Sequence, residues 1–213
     1  YFENDLLGGN DPYSGSKGAA ELIINSYTKS FFNGKKITLA IARAGNVIGG
    51  GDWSQDRIIP DCVRSQSKGK KVKIRNLRAT RPWQHVIEIL NGYLNLAKKL
   101  SLNKKINGQS FNFGPKNSEI VSVKQILVYI KNYWPTFGWV KTDNKIINET
   151  KVLVLDTSKA KKVLKWKTRL KVKDALKLTI EWYRSFYEKK LQKNSIEDLT
   201  DNQILNYHKK FYI

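Results

Sequence analysis

The chain has 213 residues, enough for one large domain or two small ones with a sizeable buried core. Basic residues outnumber acidic ones by 39 to 18, a net charge of +21, yet 31 of the 39 are Lys, spread from Lys17 to Lys210. That pattern reads as a solvated Lys-rich surface rather than an Arg cluster for reading bases, so no nucleic-acid partner is expected. Cys62 is the single cysteine, which excludes an internal disulfide, and no apolar run reaches the roughly 18 residues of a membrane span. A soluble cytoplasmic protein without a membrane partner is therefore expected. Methionine is absent, even at position 1, and a trimmed or processed chain is expected in which Tyr1 is not the natural start.

Residues 1–12, with Gly8, Gly9, Asn10, Asp11 and Pro12, read as loop. From Ser14 to Phe32, Ala19, Ala20, Ile23, Ile24, Tyr27 and Phe31 recur at helical spacing, until Asn33 and Gly34 stop the pattern. Ile37 to Ala44 is an apolar run suited to a buried strand, followed by the glycine-rich loop Gly45 to Asp52. A helix near Ile58 to Lys68, a short strand Val72 to Arg75, an extended Trp83 to Val86 and a helix Ile87 to Leu100 come next. The strand Ser110 to Phe113 precedes a helix Val123 to Trp134, whose Ile126, Leu127 and Ile130 share a side. The periodicity then predicts a strand Val152 to Leu155, helices Ser158 to Leu164 and Val172 to Glu188, and a last helix Leu199 to Phe211 in a basic tail. This order is α/β, but no G-x-G-x-x-G follows a strand, and Gly49-Gly50-Gly51 has the wrong spacing for that turn.

The strongest chemical signal is Tyr13-Ser14-Gly15-Ser16-Lys17. Four residues apart at a helix start, Tyr13 and Lys17 share a face, and an ammonium near a phenol favours the phenolate, a usable base for a sugar hydroxyl. Taken alone the spacing is weak, because an exposed pair in a Tyr- and Lys-rich chain produces it by chance. Trp83 reads as a packing residue and His85 as a structural hydrogen-bonding residue, and neither is assigned to catalysis.

Together with DPYSGSKGAAE, the stretches AGNVIGGGDW (44–53), DRIIPD (56–61), TRPWQHV (80–86), FNFGP (111–115) and LDTSKAKKVLKW (155–166) resemble the extended short-chain dehydrogenase/reductase superfamily. Within it the chain is similar to the nucleotide-sugar 4,6-dehydratases, and AGNVIGGGDW, DRIIPD and, most discriminating, TRPWQHV point to the CDP-glucose 4,6-dehydratase family. The resemblance implies the C-terminal part of an NAD(P)-binding Rossmann-like fold with a small α/β substrate-binding domain and its N-terminal strands missing. Residues 1–52 would then be a remnant of the Rossmann-like domain, 53–188 mostly substrate-binding region, and 189–213 a partly helical tail. It implies NAD as cofactor and CDP-glucose as substrate. Tyr13 would be the base at the C4 hydroxyl, Lys17 the partner of the nicotinamide ribose, and Val47 a backbone neighbour of the nicotinamide. Asn46 would contact the nucleotide sugar, Arg57 and Arg81 the pyrophosphate, Lys73, Ile74 and Arg75 the base and ribose, with Asn112 as a neutral donor. A homodimer through the helix carrying Tyr13 and Lys17 is implied as well.

Three departures accompany the resemblance. The family's glycine motif and its Asp-Lys group, whose acid protonates the leaving C6 hydroxyl, are not found, so these 213 residues are expected not to complete the reaction alone. Asn148 stands before Glu149 where a His-Glu pair is expected, and Lys165 stands where Gly usually precedes Trp166. Two other readings stay open: a different nucleotide-sugar epimerase or dehydratase, and a basic nucleic-acid-binding module.

Overall fold

The computed structural model describes residues 1–32, 34–116, 119–142, 154–188 and 195–212, with no side-chain description at 212. The chain divides into two compact units, one of residues 1–44, 90–114 and 155–167, the other of residues 45–89, 115–154 and 168–213. Among the described residues no helix is long and apolar enough to cross a membrane.

In the first unit, α1 (Pro12–Tyr27) begins two residues earlier than the apolar periodicity suggests. Asp11 caps it, accepting the Ser14 N–H at 3.0 Å and the Ser14 hydroxyl at 2.6 Å, and Pro12 supplies a φ already suited to a first turn. These bonds hold the Asp11 carboxyl below its ordinary value. Residues Thr28–Phe32 continue as a short π-helical turn. Gly18 permits close packing, since a Cβ there would lie 2.7 Å from the Gly8 nitrogen. Strand β1 (Ile41–Ala44) is shorter than the apolar run from Ile37. Ahead of it the backbone is satisfied differently: the Leu39 N–H donates to the Asn107 side chain at 2.7 Å, and Gly108 N–H donates to the Leu39 carbonyl.

Strand β1 pairs in parallel with a later strand, Ser110–Phe113, in the register Ile41↔Ser110 to Ala44↔Phe113. Phe111 and Phe113 of that strand are fully buried. Trp166 packs edge-on against Phe113 at 4.9 Å, and Gly92 makes room for both rings. Arg43 grips Glu21 with two hydrogen bonds of 2.7 and 2.6 Å, which ties α1 to β1 through a half-buried ion pair.

Among its described residues the second unit holds three two-stranded pairings. Strand β2 (Val47–Ile48) lies inside the segment expected to be a glycine loop and pairs in parallel with Gln84–His85. Val72–Ile74 pairs in parallel with Trp139–Lys141, a strand whose three residues offer too little alternation to be seen in advance. Thr80–Arg81 pairs antiparallel with Val121–Ser122. In chain order these are β3 (Val72–Ile74), β4 (Thr80–Arg81), β5 (Gln84–His85), β6 (Ser110–Phe113), β7 (Val121–Ser122) and β8 (Trp139–Lys141). The helices are α2 (Ile58–Ser67), α3 (Val86–Leu102), α4 (Val123–Tyr133), α5 (Val172–Tyr187) and α6 (Ile196–Tyr212).

The core of this unit is one cluster in which Ile59, Cys62 and Val63 of α2 meet Ile126, Leu127 and Ile130 of α4 and Leu176, Ile180 and Tyr183 of α5. Each helix brings the apolar stripe that its spacing promised. Helix α4 starts with a reciprocal capping box between Ser122 and Gln125. Cys62 is fully buried, and burial raises its thiol well above the ordinary range, so it behaves as a small hydrophobe.

The carboxylate of Glu88, in the first turn of α3, is buried within this unit. It accepts N–H bonds from Arg169 and Leu170 at 2.7 and 2.5 Å, and the Tyr207 hydroxyl from α6 donates to it at 3.0 Å. Desolvation raises its affinity for a proton, while these donors oppose that rise. The predicted tail helix is therefore real, longer than expected, and tied to a buried charge.

Of the predicted strand Val152 to Leu155, residues 152 and 153 lie outside the described residues, and Val154 and Leu155 are not strand. The Asn148-Glu149 departure also lies outside them. The other departure has a structural reading. Lys165 ends the π-helical turn Ala160–Leu164 in the left-handed region at φ 57°, where a side chain is strained and Gly is not. Lys165→Gly is expected to raise stability in urea unfolding by about 1 kcal/mol; a loss of stability would show that the Lys side chain carries an interaction outweighing the strain.

Candidate functional site

In the second unit a cavity of about 310 Å³ opens between the segment 46–52, the start of α2, strand β3 and strand β4. That volume suits a small-molecule site. Its lining includes Asn46, Val47, Arg57, Arg75 and Arg81, five residues that the resemblance names and that lie up to 35 positions apart, together with Lys73 and Ile74. Lys73 and Arg75 are exposed positions two apart on and just after β3, flanking buried Ile74, so the strand alternation turns both toward one side. Helix α2 has Arg57 at its N-cap without a side-chain cap bond, and Pro60 in its first turn carries no N–H. The amides of Ile58 and Ile59 therefore begin a helix beside three arginines, an arrangement that favours an anion. Among the described residues no group of three His, Cys, Asp or Glu could hold a metal ion.

Glycines set the path of the segment that brings Asn46, Val47 and Asp52 to the cavity. A Cβ on Gly50 would lie 2.2 Å from Trp182 ring carbons, and one on Gly49 would lie 2.7 Å from Val86 Cγ1. The triple glycine is thus a packing device that lets the backbone run against α5, which explains why its spacing does not fit a phosphate turn. Tyr183, fully buried, holds the next residue: its hydroxyl donates to the Asp52 carbonyl at 2.6 Å and accepts the Asp52 N–H at 3.0 Å. Burial pushes the Tyr183 phenol up to about 12.

Trp83 is buried and donates its indole N–H to the Val121 carbonyl, as a packing residue should. His85 is buried beside Gly49, and its Nδ1 accepts the Ile87 N–H at 3.3 Å, so the neutral ring is assigned its proton on Nε2. Burial pulls it down to about 4, so at neutral pH it is a neutral structural group. Four polar lining residues, Asp52, Asp56, Asp61 and Asn76, carry no role in the motif reading, although the first three stand inside GGGDW and DRIIPD.

The other predicted residues belong to the first unit. Tyr13 is 66% exposed, and the Lys17 ammonium lies 5.5 Å from its ring centroid on the same helix face. Asn112 is fully buried on β6; its amide donates to the Tyr1 carbonyl at 3.1 Å and its backbone N–H donates to Glu3 at 2.9 Å. It is not among the residues lining the cavity, and its side-chain nitrogen is engaged within its own unit.

Residues 2–179 match the family model described as GDP-mannose 4,6 dehydratase. The chain belongs to this family. It is 39% identical to the CDP-glucose 4,6-dehydratase of Salmonella typhimurium over 87% of its own length and 54% of that protein's. It spans about half the length of the curated relatives it matches. The fold is shared with the UDP-glucose 4-epimerase of Thermotoga maritima solved with UDP-glucose, at a TM-score of 0.74 and 19% identity over 87% of this chain and 57% of that one. It is shared likewise with the dTDP-glucose 4,6-dehydratase of Bacillus anthracis solved with NAD, at 0.69 and 22% over 90% and 58%. The α/β character and the extended short-chain dehydrogenase/reductase assignment therefore stand.

Burial of neutral His85 has a pH consequence. Below its ordinary value of 6.5 the unfolded chain takes up a proton that the folded chain refuses until about pH 4. Stability contributed by the neutral ring is complete above pH 6.5 and is lost as pH falls toward 4, on the order of 3 kcal/mol in all. Urea unfolding across that window is expected to fall more steeply for the parent chain than for His85→Gln, and parallel curves would contradict the burial effect.

Proposed function

We propose that this chain provides the nucleotide-sugar pocket and the Tyr-Lys pair of an NAD-dependent CDP-glucose 4,6-dehydratase. The observation that carries the reading is the convergence of Asn46, Val47, Arg57, Arg75 and Arg81 on one cavity. The 39% identity to the Salmonella typhimurium enzyme supports CDP-glucose as the substrate. In this reading the guanidinium groups of Arg57 and Arg81 clasp the pyrophosphate, aided by the first turn of α2, because planar forks and helix amides both match phosphate oxygens. Lys73 and Arg75 flank the nucleoside, and Asn46 bonds a sugar hydroxyl.

Tyr13 and Lys17 fit the nicotinamide-ribose end of NAD. Both face solvent, and the Tyr13 hydroxyl makes no hydrogen bond among the described residues, which leaves it open to a sugar hydroxyl. NAD, when bound, supplies the acceptor for hydride from C4 and its return at C6. Tyr13 takes the C4 hydroxyl proton, and Lys17 holds the ribose hydroxyls and the phenolate. The C4 ketone acidifies the C5 proton, water leaves across C5 and C6, and a proton added at C5 as the hydride returns to C6 completes a CDP-4-keto-6-deoxyglucose. The same reading carries a cytoplasmic location and a homodimer; the exposed Leu22, Ile23 and Tyr27 of α1 and Phe31 of the turn after it support the dimer.

Calorimetric titration of the 213-residue chain with CDP-glucose tests the pocket. Binding is expected, and Arg57→Ala is expected to weaken it about tenfold or more; no binding at millimolar ligand would remove the reading. In any preparation of this protein that converts CDP-glucose, Tyr13→Phe is expected to lower turnover by about 10²- to 10⁴-fold. Near-normal turnover in that variant would take the base role from Tyr13.

A further inference from the structure

Three carboxylates, Asp52, Asp56 and Asp61, line a cavity that otherwise favours an anion. Each weakens phosphate binding unless it is neutralised or has a donor to accept from. Asp61 is neutralised by its ion pair with Arg64. Asp56 is exposed, on a backbone in the left-handed region at φ 58°.

Asp52 is half-buried and its main chain is held on both sides by one hydroxyl, that of Tyr183. Its neighbours are locked too. Gly50 lies against Trp182, and Trp53 packs on Tyr183 at 5.3 Å and on Phe186 at 5.1 Å. The carboxylate accepts the Ser54 N–H on Oδ1 at 2.9 Å, which orients it, while Oδ2 accepts no hydrogen bond among the described residues. An oriented acceptor in a wall of a cationic cavity suits a ligand that brings hydroxyl donors along with its phosphates. The cations come from the start of α2, from β3 and the residue after it, and from β4, whereas Asp52 ends the segment that carries Asn46 and β2.

Resting on the nucleotide-sugar reading above, we propose that Asp52 accepts hydrogen bonds from the hexose hydroxyls of the bound nucleotide sugar. Tyr183 is its positioning residue. Asp52 thereby selects the sugar-bearing ligand over the bare nucleotide, and it does so against its own repulsion of the phosphates.

The opposing signs make the test specific. Calorimetry on the 213-residue chain is run with CDP-glucose and with CDP. The parent chain is expected to bind CDP-glucose about tenfold more tightly than CDP. Asp52→Asn is expected to abolish that advantage while CDP binding stays unchanged or tightens, because a negative charge has gone. Tyr183→Phe, with far-UV circular dichroism as a check on folding, is expected to erode the same ratio. General damage to the fold would weaken both ligands together and leave the ratio intact. If the parent binds neither ligand, the nucleotide-sugar reading falls and takes this proposal with it. If both bind and Asp52→Asn keeps the advantage for CDP-glucose, or weakens both ligands equally, the role of Asp52 alone is overturned.

Discussion

The hydroxyl of Tyr183 uses both its proton and its lone pairs on the two backbone groups of Asp52, and that pair of bonds sets the wall of the cavity. A loop with three consecutive glycines has the largest conformational entropy to lose, and without a partner it would not hold one shape. The glycines are tolerated because α5 supplies that partner: Trp182 fills the space that a Cβ would need, and Tyr183 clamps the loop end. Helix α5 can do this because Leu176 and Ile180, on the same apolar stripe as Tyr183, anchor it in the shared core with α2 and α4. The cavity is thus a consequence of helix packing as much as of the residues that line it.

Buried polar groups in the second unit follow the same economy. Glu88 is surrounded by donors from the segment 169–170 and from α6, so a charge that would be costly to bury becomes a tie between distant stretches of chain. The arrangement gives the C-terminal helix a reason to dock that its modest apolar stripe alone would not provide. His85 is kept neutral by burial and accepts a backbone N–H, a structural use of a residue often read as catalytic.

Charge takes on a different meaning once the cavity is known. The net +21 is carried mainly by lysines distributed over the chain, but three of the eight arginines meet at one cavity with the uncapped start of α2. Arg is the residue suited to that place, because a rigid fork loses less freedom than a flexible ammonium stem in matching a phosphate. Overall charge therefore says little about the ligand, and the placement of a few guanidinium groups says much more.

Helix positions were legible in the amino-acid order because burial on one side imposes a 3.6-residue period over ten or more residues. Helices α2, α4 and α5 fall within a residue or two of their predicted ranges. Two- and three-residue strands such as β2, β4 and β8 carry no such period, and their existence depends on a backbone partner far away in sequence. Family membership and most of the cavity's lining were likewise readable from local motifs, since each motif keeps its own spacing. The order of residues could not reveal the roles of Gly50, Asp52 and Tyr183, because each acquires meaning only from a contact made across more than 100 residues. Nor could it show that Asn112 commits its amide nitrogen to the Tyr1 carbonyl, or that Lys165 stands in a left-handed turn. Sequence alone determined the longer helices and the family; tertiary structure decided the short strands and which side chains line the cavity, because hydrogen bonds and packing between distant segments settle both.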